Sequence, residues 1–126
     1  MTATVGTRVT HRRYVPYSHA HYAGNLVDGA YSLGLFGDVA TEMCIVTDGD
    51  EGLFASYSDV QFLAPVRAGD VLEIDCEITR VGTRSRTLDF TVHVVARGAV
   101  GFRYNCRWHA RRARLGWHWG GANANK

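Results

Sequence analysis

Two carboxylates, Asp38 and Glu42, stand four residues apart in a segment that is otherwise almost wholly apolar, LVDGAYSLGLFGDVATEMCIV. Residues four apart share one face of a helix, where like charges repel by about 0.2–0.5 kcal/mol in water and by more when desolvated. Folding has no use for such a pair, whereas proton transfer does. Two acids crowded in a partly dry site cannot both ionise easily, and one of them then holds a proton near neutral pH. Val27, Tyr31 and Leu35 extend the face of Asp38 and Glu42, while Leu26, Ala30, Leu33, Ala40 and Cys44 supply another apolar face. A helix apolar nearly all round is a central one.

The loop before that segment, HAHYAGN, adds a second set of groups. Unpaired N–H groups at a helix entrance can hold a developing oxyanion, and Gly24 and Gly29 would let a thioester carbonyl come close to the backbone. His21, beside Gly24 and Asn25, is a candidate for proton transfer at this entrance. His19 and His21 lack the further Cys or His ligands that a metal site needs. Asp38 lies nine residues beyond Gly29, roughly 14 Å along a helix. One helix therefore cannot present both ends to one substrate, and a site shared between two subunits is expected. The turn Val81 to Arg86, which carries Gly82, Thr83 and Ser85 together with two arginines at strand spacing, Arg84 and Arg86, suits phosphate. Asp48-Gly49-Asp50-Glu51 starts like a calcium loop, but its sixth position is Leu53 and its twelfth Asp59, which excludes that motif.

The elements that would position these groups follow from pattern. Arg8 to Val15 is β-branched and aromatic and stops at Pro16, a first strand. The helix is expected over Leu26 to Val46, and the turn residues Asp48 to Gly52 end it. Phe54 to Leu63 reads as a strand closed by Pro65. Leu72, Ile74, Cys76 and Ile78 alternate with Glu73, Asp75 and Glu77, and Leu88, Phe90, Val92 and Val94 alternate with Thr87, Asp89, Thr91 and His93, a hairpin across Val81-Gly82-Thr83. One strand, one long helix and then consecutive antiparallel strands predict an α+β hotdog fold, an antiparallel sheet wrapped around a central helix.

The 126 residues make one domain, 46% hydrophobic and 21% charged. No apolar run is long enough to span a membrane and no leader-like apolar stretch opens the chain, so a cytoplasmic protein is expected. Cys44, Cys76 and Cys106 lack the spacing of a disulfide framework or thiol metal site. The net charge of +2 is unevenly spread. Residues 1–96 hold seven Arg and all 12 acidic residues, net −5, whereas 97–126 hold six Arg and one Lys, net +7, together with all three Trp. This basic end suits weak attachment to nucleic acid, but the acidic remainder offers no basic face, so no nucleic-acid partner is expected.

HAHYAGNLVDGA, LFGDVATE, DGDEGLF, FLAPVRAGD and VGTRSR, in this order, resemble the hotdog-fold β-amino acyl-CoA ammonia lyases, which act on 3-aminobutyryl-CoA or β-alanyl-CoA. The resemblance covers Arg8 to Ala96. It implies reversible elimination of ammonia from a 3-aminoacyl-CoA to give the 2-enoyl-CoA, as in lysine fermentation, with no metal and no prosthetic group; coenzyme A enters only as part of the substrate. GDVATEMCIV and DGDEGLF favour the 3-aminobutyryl branch, which yields crotonyl-CoA. Asp38 and Glu42 would move the α-proton and handle the ammonium group, Gly24, Asn25 and Gly29 of the other subunit would hold the thioester oxygen, and Gly82 to Arg86 would hold the CoA phosphates. A homodimer, or a hexamer as a trimer of dimers, is expected. The rival enzyme on this fold is an acyl-CoA thioesterase. Residues 1–96 form the expected acyl-CoA domain core. Residues 97–126 depart from the resemblance and have the composition of GC-rich codons read out of frame, so this end is expected to pack poorly beyond His109.

Overall fold

A computed structural model describes residues 2–98 and, as backbone alone, the strand Arg112–Gly120. The elements run β1 (Arg8–Tyr14), α1 (Gly29–Asp48), β2 (Phe54–Val60), β3 (Val71–Val81), β4 (Ser85–Ala96) and β5 (Arg112–Gly120), with 3-10 turns at Tyr17–His19 and Ala23–Asn25 before the helix. The strands form one antiparallel sheet in the order β1-β3-β4-β5-β2, and α1 packs on one face of it. The period-two pattern of β3 and β4 sets the core. Leu72, Ile74, Cys76 and Ile78 are buried together with Leu88, Phe90, Val92 and Val94, while Glu73, Asp75 and Glu77 take the other face.

Helix α1 starts three residues later than the apolar pattern predicts. Leu26 bridges to Arg67, the Val27 N–H donates to the Val66 carbonyl, and Asp28 then caps the helix by accepting from the Tyr31 N–H at 3.0 Å. At the far end Gly49, at φ 75°, donates its N–H to the Ile45 carbonyl and stops the helix. The buried face is Ser32, Leu35, Phe36, Val39, Ala40, Met43 and Cys44, with the rings of Phe36 and Phe90 4.9 Å apart. Gly34, Asp38, Glu42 and Ile45 are exposed. One helix packed against an antiparallel sheet is the α+β hotdog arrangement expected from the sequence, and within one chain the sheet covers one side of the helix because a single five-stranded sheet has one face to offer it.

The C-terminal segment differs from expectation. Backbone pairing runs from Ser85↔Gly120 to His93↔Arg112, and β2 pairs with the other edge of the same strand. Alternation in RARLGWHWG is weak because arginine, glycine and tryptophan interrupt it, and two flanking strands supply the ladder that the pattern does not announce. The remaining residues from 99 to 111 and from 121 to 126, Cys106 and His109 among them, lie outside the described residues.

Arg97, the first residue of that segment, makes the best-buried ion pair among the described residues. Its Nε and Nη2 donate to the two oxygens of Asp70, each at 2.8 Å, and Asp70 is 1% exposed. Asp70 Oδ2 also accepts from the Arg67 N–H, its carbonyl accepts from the Val15 N–H, and Arg97 Nη2 reaches the Pro65 carbonyl. The pair thus pins the link between β2 and β3 to β1 and to the end of β4. Arg97→Ala would leave a buried carboxylate unpaired and is expected to reduce the unfolding free energy by about 3 kcal/mol or more in urea titrations. Arg12→Ala, which breaks the exposed pair with Glu73, should cost less than ~1 kcal/mol. Ending the chain at Arg111 removes the strand between β4 and β2 and should lower the melting temperature by about 5 °C or more, read by circular dichroism.

Candidate active site

Alternation along β1 sends its side chains to two places. Arg8, Thr10 and Arg12 meet Glu77, Asp75 and Glu73 of β3, at 3.1, 2.6 and 2.9 Å. Val9, His11 and Arg13 point to the helix side. There Arg13 Nη2 donates to Asp38 Oδ2 at 3.0 Å, and His11 Nε2 lies 3.4 Å from Glu42 Oε2. The two carboxylates are 59% and 50% exposed, so they are not buried in the core of one chain as the apolar surroundings suggested. Leu35 on the same helix face is buried, whereas Asp38 and Glu42 reach the open rim where β1 is the last strand. His11 and Arg13 escaped notice in the sequence. The signal was two cationic side chains at strand spacing, whose meaning depends on which face of β1 meets α1.

The helix entrance is a separate group of residues in one chain. Gly24 at φ 74° and Asn25 at φ 60° form a left-handed pair in the turn Ala23–Asn25, and Asn25 is the one non-glycine with positive φ among the described residues. Asparagine tolerates that region, and such backbone clusters at functional sites. The Asn25 carbonyl accepts from Ala68 N–H, and both the His21 and Tyr22 N–H groups donate to the Leu26 carbonyl. Space above Gly24 is open, but a Cβ on Gly29 would sit 2.9 Å from Phe62 Cζ. The exposed Phe62 ring thus fills the space beside Gly29, whereas that beside Gly24 is free. Asp28 also takes the Tyr31 N–H for itself. His21 Nδ1 is 3.9 Å from Asp28 Oδ2 and stacks edge-on against Tyr22, a helix length of roughly 15 Å from Asp38. His19 turns the other way, to the Tyr31 hydroxyl at 3.0 Å, so the two histidines do not converge. No group of three or more potential metal ligands occurs among the described residues.

In the turn from β3 to β4, Gly82 N–H donates to the Ser85 carbonyl, and a Cβ on Gly82 would meet Ser85 Oγ at 2.5 Å. Arg86 is not aimed at solvent. Its Nη1 donates to the Gly82 and Ser85 carbonyls and its Nη2 to Asp48 Oδ1 at 3.0 Å, both side chains being 20% exposed. It ties the turn to the end of α1, and the polar side chains of this turn left exposed are Thr83, Arg84 and Ser85.

Burial raises the Tyr31 hydroxyl pKa against the opposing pull of Arg13. It raises Tyr57 to about 12 and Cys44 to about 12, the latter helped by Asp48, and raises Cys76 further still. Both thiols are held neutral in the fold, so they are packing groups rather than nucleophiles. The unfolded chain ionises its thiols near pH 9 while the folded chain does not, so the folded state binds more protons above that pH. Stability is therefore expected to fall as pH rises through 9 toward 12, by up to ~1.4 kcal/mol per pH unit for each thiol. Urea midpoints from pH 8 to 10.5 check this, and replacing Cys44 and Cys76 by alanine should flatten the dependence.

Comparison with known proteins reaches the same fold. Residues 24–100 match the model of the thioesterase superfamily. The chain belongs to that superfamily. Over 76 residues it is 57% identical to a 3-aminobutyryl-CoA ammonia lyase of Acetoanaerobium sticklandii, a stretch that makes up 60% of each chain. The solved β-alanyl-CoA:ammonia lyase of Clostridium propionicum superposes with a TM-score of 0.86 at 33% identity, covering 98% of this chain and 90% of that one. An acyl-CoA hydrolase of Staphylococcus aureus superposes with a TM-score of 0.71 at 17% identity, over 90% of this chain and 65% of that one, a likeness of fold.

Proposed function

We propose that the protein is a carbon–nitrogen lyase that reversibly eliminates ammonia from a 3-aminoacyl-CoA, with 3-aminobutyryl-CoA preferred and crotonyl-CoA as product. The observation that carries this is the pair of carboxylates at the rim of α1, Asp38 and Glu42, in a chain that shares 57% identity over 76 residues with a 3-aminobutyryl-CoA ammonia lyase. A thioesterase has to activate one water. Elimination asks for two things at adjacent carbons, removal of an α-proton and accommodation of a cationic amine, and two anionic groups on one helix face meet both needs.

The thioester oxygen is held by backbone near Gly24 and Asn25, with the CoA phosphates against Thr83, Arg84 and Ser85. The reaction needs no metal or prosthetic group, since the thioester itself acidifies the α-proton. Entrance and carboxylates lie too far apart on one helix, so the working unit is a homodimer or a hexamer built from dimers, in which one chain supplies each half. The open helix face and the exposed Leu53, Phe54, Phe62 and Leu63 support such association. No helix among the described residues is long and apolar enough to cross a membrane. The proposed setting is amino-acid degradation of the lysine-fermenting type, in the cytoplasm.

Incubation with 3-aminobutyryl-CoA should release ammonia and form an absorbing enoyl thioester, with β-alanyl-CoA as the slower comparison. Release of free CoA thiol instead identifies a thioesterase. Asp38→Asn and Glu42→Gln should each lower ammonia release at least ~10²-fold with folding intact by circular dichroism. Parent rates in both variants would mean that these carboxylates have no part in the chemistry.

A further inference from the structure

Strand β1 treats the two carboxylates differently. Asp38 faces a guanidinium at 3.0 Å, a group that keeps its charge at every pH the protein meets. Glu42 faces an imidazole at 3.4 Å, the side chain type that gains and loses a proton near neutrality. The difference is built into one strand, because His11 and Arg13 are two residues apart on its helix side while Asp38 and Glu42 are one helical turn apart opposite them. We propose that His11 and Arg13 are positioning residues that divide the labour: Glu42, coupled to His11, carries the α-proton, and Asp38, paired with Arg13, receives the substrate ammonium. This rests on the ammonia-lyase reading above and deepens it.

The step balances with these groups alone. Glu42 removes the α-proton as the thioester becomes an enolate. The enolate electron pair forms the Cα–Cβ double bond, the Cβ–N bond breaks, and its electrons leave with nitrogen as ammonia. The proton on Glu42 returns to ammonia, which departs as ammonium, and Glu42 is again a carboxylate. His11 gives the Glu42 proton a second exit, through the imidazole to solvent. Asp38 has no such exit, because the guanidinium of Arg13 rather than an imidazole occupies its Oδ2. Its charge instead suits a cation, since Arg13 occupies Oδ2 and leaves Oδ1 as a second acceptor on the same anion. The ionisable group paired with His11 from α1 is Glu42, Arg13 stands two residues along on the same side of β1, and the ladder partner of His11 on β3, Ile74, is apolar.

Two readouts on the full-length protein separate the roles. The first is ammonia release from 3-aminobutyryl-CoA. The second is hydrogen–deuterium exchange at the α-carbon of butyryl-CoA in D2O, which needs the proton transfer but has no amine. Glu42→Gln should lower both at least ~10²-fold. Asp38→Asn should lose ammonia release yet keep exchange. His11→Ala should slow exchange about tenfold or more with little change in KM, added imidazole should restore part of it, and in a Glu42→Gln background the same change should cost nothing further. Arg12→Gln, on the outer face of β1, serves as the control that changes neither. Exchange at the parent rate in His11→Ala, no recovery with imidazole, or equal loss of exchange in Asp38→Asn would each overturn the division of labour while ammonia release by the parent still upheld the lyase. A parent that exchanges the α-proton but releases no ammonia would overturn the lyase reading and leave the His11–Glu42 assignment to be decided by exchange alone. A parent that does neither overturns both.

Discussion

Everything in this molecule hangs on the burial of one helix face. Leu35, Phe36, Val39, Ala40 and Met43 leave water only by lying on Leu72, Ile74, Ile78, Leu88 and Phe90, and each large side chain so buried contributes roughly 1.5–3 kcal/mol. That contact sets the rotation of α1 about its axis. Once the apolar stripe is down, Asp38 and Glu42 have no choice but to emerge at the rim beside β1, and the alternation of β1 puts Arg13 and His11 there to meet them. The carboxylates are thus placed by apolar packing and differentiated by electrostatics, two forces that act on different residues of the same helix.

A second, smaller constraint shapes the other half of the site. The backbone from Asn25 to Val27 is held by the segment from Val66 to Ala68, through the Val27 and Ala68 N–H groups. That segment in turn is anchored by the Asp70–Arg97 pair. A buried pair of this kind is expensive to desolvate and costly to break, which makes it a poor source of net stability but a strict determinant of geometry. The left-handed backbone at Gly24 and Asn25 therefore sits in a turn whose neighbour cannot easily shift. Arg97 belongs to the segment whose composition looked foreign, yet it closes this anchor, and β5 stands in the sheet between β4 and β2. A strand can be recruited by the two ladders beside it even when its own side chains alternate poorly.

Much of the fold was legible because the relevant signals are local. The period-two runs in β3 and β4, the Gly82 turn between them, the apolar helix and the glycine that stops it are each decided within a few residues. The carboxylate pair stood out for the same reason, as a spacing that helix geometry converts directly into proximity. Three features were not legible. The helix began at Gly29, capped by Asp28, rather than at Leu26, because Leu26 and Val27 are drawn into pairing with a segment about forty residues away. Arg86 turned inward to Asp48 rather than outward to a phosphate, since the end of α1 returns to the β3–β4 turn. His11 and Arg13 were silent, because a strand's alternation shows that two faces exist but not which one meets the helix.

The sequence by itself determined β1 to β4 and the helix in their order, the antiparallel hairpin and the presence of paired acids on one helix face, all of which follow from short-range periodicity and turn chemistry, whereas β5 enters the sheet only through its neighbours. Only the tertiary structure decided that those acids sit at a half-open rim rather than in a sealed core, that one is matched to a guanidinium and the other to an imidazole, and that Gly24 rather than Gly29 is the open approach to the helix entrance. Those outcomes depend on which side chains distant in the chain arrive at the same place, and that is fixed by the packing of whole faces against one another, a quantity no local spacing contains.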